Sequence, residues 1–141
     1  MRGVSRLQMR RRARRALLQV LYEVDASGHS LEDSVQWVLE ALSLDEEGVM
    51  FVRAMASSIL ENIERLDQEI GRYAPTWPVE QLPIVDRNIL RIAIYEVMLT
   101  DETPPKVAIN EAVELAKQFG SESLPRFVNG VLGAVMTTAQ G

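Results

Sequence analysis

The sequence predicts an all-α protein: about seven helices in two packed three-helix bundles. Three observations lead there. Apolar residues recur at spacings of three and four along most of the chain. No segment alternates apolar and polar residues as a half-buried strand does, and no repeat of fixed period is present. One Pro-rich stretch, residues 74–83, interrupts the helical pattern and is expected to join the two groups of helices.

The elements follow in order. Ala13, Leu17, Leu21 and Val24 mark the first helix, widened by Ala16 and Val20, and Asp25, Ser27 and Gly28 end it. Ser30 followed by Asp33 resembles a capping box, and Leu31, Val35, Val38, Leu39 and Leu42 form the next face. Asp45, Glu46 and Glu47 suit the positive end of a helix dipole. A long segment follows with Val49, Val52, Ala56, Ile59, Ile63, Leu66 and Ile70 on one face. Beyond the Pro-rich stretch, Val85, Ile89, Ile92, Ala93, Glu96 and Leu99 mark another helix. Pro104 or Pro105 then suits a first turn, and Val107, Ile109, Ala112, Val113, Ala116 and Phe119 are the expected buried stripe. Gly120 is expected in the left-handed position that closes this helix. Phe127, Val128, Val131, Leu132 and Val135 make the last stripe, with Ser123 or Leu124 as its cap and Pro125 at its first position.

With 141 residues the chain has the length of one domain, and residues 1–141 are read as one. It has no cysteine, which excludes disulfides, thiolate metal sites and thiol nucleophiles. A single histidine, His29, lies in a Gly-Ser turn and is expected to be exposed, so no metal and no cofactor is expected. Glycines form no phosphate-cradling motif, and no serine sits in a nucleophile elbow. Glu111 and Glu114 share a helix face but lack a neighbouring histidine. The reading is a binding module rather than an enzyme. No membrane-length apolar run and no signal-peptide core is present, so the expected location is cytoplasmic.

Charge is distributed unevenly. Residues 1–15 hold seven of the fifteen basic residues and no acidic one. Residues 16–141 hold eight basic and twenty acidic residues, a net of −12. An acidic body repels nucleic acid, but exposed charges farther apart than a Debye length, ~8 Å in physiological salt, are largely screened, so a basic arm over residues 1–12 can still bind locally. Arg11, Arg14 and Arg15 align if a helix includes them, and Tyr22 lies about two turns beyond Arg14 and Arg15. Guanidinium groups grip phosphates and a ring stacks on a base, which is what a single strand needs. On spacing alone, Tyr22 packed in the core with its hydroxyl at the rim is at least as strong a reading. Asn110 and Asn129 interrupt apolar runs where asparagine is a poor helix former. A backbone hydrogen bond between helices is expected for Asn110, and a close helix approach at Gly130. Asn129, with Phe127 nearby, is left between structure and binding.

Four blocks resemble one family. Arg10-Arg11-Arg12-Ala13-Arg14 with Ala16-Leu17-Leu18-Gln19-Val20-Leu21-Tyr22 is similar to the N-terminal helix of NusB proteins. Residues 85–96, Val-Asp-Arg-Asn-Ile-Leu-Arg-Ile-Ala-Ile-Tyr-Glu, resemble the family's central helix. Val107 to Gly120 and Arg126-Phe127-Val128-Asn129-Gly130-Val131-Leu132 resemble its two closing blocks. The resemblance implies two three-helix bundles and a transcription antitermination factor. It implies binding to the single-stranded boxA element of ribosomal RNA leader transcripts, with the small-subunit ribosomal protein that serves as NusE. Other Nus factors and RNA polymerase complete the complex. Arg10, Arg11, Arg14, Tyr22 and Phe127 carry over as RNA contacts, with Asn129 beside them, and Glu80 and Asp86 as residues facing NusE. Ser123 departs from the acidic residue expected at its position. Two other readings stay open: the RNA-binding helical domain fused to ribosomal RNA methyltransferases, and a self-associating helical interaction protein.

Overall fold

The computed structural model describes residues 5–140. The first four residues of the expected basic arm, Arg2 among them, lie outside the described residues. Among those described there are seven α-helices and no strand. Contacts divide the chain into two compact units, residues 1–61 and 62–141.

The first unit is a three-helix bundle. Helix α1 spans Arg6–Ser27, so the basic residues from Arg6 onward are helical. Ser5 caps it: its hydroxyl accepts from the Gln8 N–H at 3.1 Å, and the Gln8 side chain accepts from the Ser5 N–H at 3.2 Å. Gly28, at φ 68°, closes it by donating its N–H to the Val24 carbonyl. Helix α2, Leu31–Ala41, starts at Ser30, whose hydroxyl accepts from the Asp33 N–H. Helix α3, Glu46–Glu61, starts where the Asp45 carboxylate accepts from the Gly48 N–H at 2.7 Å. All three helices pack on one another. Ala13, Leu17, Val20, Val52, Ala56 and Ile59 are fully enclosed, with Leu21, Val35 and Val38 nearly so.

The second unit holds α4 (Ile63–Tyr73), α5 (Ile84–Ile94), α6 (Pro105–Phe119) and α7 (Leu124–Gln140). A 3₁₀ turn, Val79–Gln81, precedes α5 and a π-turn, Tyr95–Leu99, extends it. Helix α5 packs against α4, α6 and α7, and every residue from Asn88 to Ile94 is buried. Its one arginine there is fully engaged. Arg91 donates Nε–H and Nη2–H to the two carboxylate oxygens of Asp67 at 2.8 Å each, and Nη1–H to the Asn88 side-chain oxygen at 3.1 Å.

Several expectations need correction. The segment from Val49 to Ile70 is two helices, broken at Asn62 (φ −108°, ψ 17°), a residue whose side chain competes for backbone partners. The division between units accordingly falls at 61/62 and not within 74–83, because α4 packs on α5 and α7. The buried stripe of α6 is Ala108, Glu111, Ala112, Leu115 and Ala116, while Val107 and Phe119 are exposed. Ala112 and Ala116 are buried as expected, and α6 packs against both α5 and α7. Gly120 is extended (φ −85°, ψ 179°), not left-handed. Its need for glycine is steric: a Cβ would lie 2.3 Å from Leu124 Cδ2 and 3.0 Å from the Ala116 carbonyl oxygen. Asn110, Asn129 and Gly130 are exposed, and a Cβ at Gly130 would meet nothing within 4 Å, so neither a buried bond nor a close approach explains them. Helix α7 starts at Leu124, which makes Pro125 its second residue.

Candidate nucleic-acid interface

Each unit presents one candidate surface. In the first, α1 carries the arginines on two different faces. At 100° per residue, Arg11, Arg15 and Tyr22 fall within about 40° of one another around the helix. Tyr22 is exposed, at 39%, which removes the core reading of that ring. Arg11 is exposed and Arg15 half-buried. These three form the row, and Arg15 takes the place expected for Arg14.

Arg14 lies about 60° away from Arg11 on the helix and is 3% exposed. Its guanidinium carbon sits 5.7 Å from the centre of the Phe51 ring of α3. Arg10 also turns toward α3: its guanidinium lies 4.2 Å over the same ring and 3.4 Å from Glu47. Arg6 shares Glu47 at 3.2 Å. The expected set of Arg10, Arg11, Arg14 and Tyr22 is therefore split. Arg11 and Tyr22 face outward together; Arg10 is partly withdrawn; Arg14 is buried and fastens α1 to α3. Periodicity placed them all on one helix but could not tell which side the core would claim.

In the second unit, Trp77, Leu82, Pro83, Leu124, Arg126 and Phe127 line an open groove of about 490 Å³. Phe127 is half-buried and Trp77 is 52% exposed. Asn129 is exposed on α7 but two residues from Phe127, so the two do not share a face. Asp86 also borders the groove, yet it is 4% exposed. Its two carboxylate oxygens accept from the Ser121 N–H at 3.2 Å and the Ser121 hydroxyl at 2.8 Å. Expected to face a protein partner, Asp86 ties the start of α5 to the α6–α7 loop in this structure. Glu80 is exposed on the 3₁₀ turn. Ser123, the departure from the family pattern, lines the same groove.

Sequence reading passed over Trp77, Arg126 and Ser121. An aromatic residue between prolines was the available signal for Trp77, since loop positions seldom bury such a ring. Nothing local marks Ser121 as the partner of a residue 35 positions away. His29 is exposed as expected, 3.5 Å from Glu23 and edge-on to Trp37. Among the described residues no cluster of metal-ligating side chains occurs, and no helix is long and apolar enough to cross a membrane.

Comparison with known proteins agrees with this architecture. The model of the NusB family matches residues 11–137. The transcription antitermination protein NusB of Dehalococcoides mccartyi (strain CBDB1) is 48% identical over 126 residues, 89% of this chain and 88% of its own. That of Roseiflexus sp. (strain RS-1) is 49% identical over 131 residues, 92% of each. Among solved structures, NusB of T. maritima superposes with a TM-score of 0.82 at 34% identity, covering 96% of this chain and 92% of that one. A structure described as antitermination factors NusB and NusE in complex with dsRNA gives 0.83 at 25% identity, covering 94% and 98%. An all-helical body with a basic first helix, matched by the family model over residues 11–137 and by sequence and fold over most of its length, makes this chain a member of the NusB family of transcription antitermination proteins.

Proposed function

We propose that this protein binds the boxA element of ribosomal RNA leader transcripts as an unpaired strand, jointly with NusE, and so suppresses premature termination by RNA polymerase within a larger Nus-factor complex. The observation that carries the reading is the row of Arg11, Arg15 and the exposed Tyr22 ring on an otherwise acidic body. Arginines neutralise successive phosphates, and the ring offers a base a face to stack on. Phe127 contributes a second ring from its own unit, and Arg10 contributes at the edge of the row. Exposed Glu80 is the residue left to face NusE once Asp86 is occupied by Ser121.

The solved relative carries double-stranded RNA by its description. A paired duplex keeps its bases stacked on one another, so an exposed tyrosine gains little from it. Fluorescence anisotropy with boxA RNA, single- and double-stranded, with and without NusE, tests the reading. Single-stranded RNA bound more tightly than duplex, and more tightly still with NusE present, is the expected result. Equal binding of any RNA regardless of strandedness and of NusE would refute it.

A further inference from the structure

The groove between the Pro-rich stretch and the start of α7 carries two side chains that the packing of the second unit leaves largely unused. Trp77 leaves half its surface in solvent, and Arg126 is exposed and makes no ion pair among the described residues. Glu122, one turn earlier, borders a neighbouring depression with Arg126 but does not pair with it. Asp86, the acidic residue on the groove's border, has its oxygens satisfied by Ser121 and is turned away from solvent. What the groove offers is two aromatic rings, apolar walls and one uncompensated guanidinium.

We infer that Trp77 and Arg126 are RNA contacts: the groove takes an unpaired nucleobase against the Trp77 ring while Arg126 holds the adjoining phosphate. This rests on the RNA binding proposed above and adds two residues to it. The combination favours a nucleotide over a peptide. A flat ring beside a cation matches a base and its phosphate, whereas an apolar peptide side chain would gain nothing from the unpaired charge. The volume of about 490 Å³ is ample for a base and its sugar.

The chain has two tryptophans, and Trp37 lies in the other unit. In a Trp37→Phe background, Trp77 is the single indole reporter. Single-stranded boxA RNA should quench its emission in proportion to occupancy. Trp77→Ala should weaken binding about tenfold or more, within the range of one base stacked on an aromatic ring, and Trp77→Phe should restore most of it. Arg126→Ala should lower the steepness of log K against log salt by about 0.7, the value for one single-strand phosphate. Melting curves of all variants should stay close to the parent, since both side chains are largely in solvent.

Unchanged RNA affinity in Trp77→Ala, with Tyr22→Ala still weakening it, overturns this inference and leaves the proposed function standing. Loss of NusE capture without loss of RNA affinity assigns the groove to the protein partner and overturns it too. Failure of the parent to bind RNA overturns both.

Discussion

Arg14 and Arg15 are neighbours in sequence and opposites in the fold, so exchanging each for alanine separates binding from stability. Arg15 lies on the outer row with Tyr22. Removing one single-strand phosphate contact should lower the salt slope by about 0.7, which at 0.15 M salt corresponds to roughly a fourfold loss of affinity, about 0.8 kcal/mol. Arg15→Ala, at a half-buried position, should lower the melting temperature less than Arg14→Ala does. Arg14 is 3% exposed with its guanidinium 5.7 Å from the Phe51 ring centre. Arg14→Ala removes that cation–π contact and the apolar packing of the side-chain stem, together about 1–2 kcal/mol. The melting temperature should fall by about 3–8 °C, while the salt slope of the folded protein stays unchanged. Salt-dependent anisotropy and thermal melts on both variants check this. A flattened salt slope with an unchanged melt for Arg14→Ala would refute the assignment of the two faces.

Asp86→Ala should lower stability by about 2–4 kcal/mol, since two bonds to a buried carboxylate are lost and Ser121 is left without its partner. Denaturant melts measure it, and a variant with parental stability that fails only in NusE capture would restore the partner-facing role. Asp67→Ala should cost about 3 kcal/mol by leaving the Arg91 guanidinium, 7% exposed, without its carboxylate. Removing both charges in Asp67→Ala with Arg91→Met should recover part of that loss in the same melts. Gly120→Ala should cost about 1–3 kcal/mol from overpacking against Leu124 and the Ala116 carbonyl, although its backbone angles suit alanine. A neutral result there would mean that the start of α7 yields easily.

Much of the molecule is legible in its sequence. Caps at Ser30 and Gly28 and the proline at the start of α6 depend on local bonding and local φ, so a few residues suffice to announce them. The unequal placement of arginines is likewise a property of the chain, and the structure makes the basic residues from Arg6 onward helical. The candidate site was legible only in part. Spacing left Tyr22 open between core and surface, and its ring is exposed; Phe127, read as part of the apolar stripe of the last helix, is half-buried; Arg14 and Asp86 were assigned outward roles and are buried.

Short-range periodicity and capping chemistry thus determined the all-helical class and most helix ends, and the family was legible through the resemblance of four sequence blocks. Tertiary packing alone decided which flank of α1 meets Phe51, that α6 buries Ala108 and leaves Val107 and Phe119 in solvent, and that Ser121 donates to the buried carboxylate of Asp86. The physical reason is that a helix sets the angle between its side chains, whereas which side is shielded from water is set by what packs against it. That second quantity is carried by residues dozens of positions away, and no local window of sequence contains it.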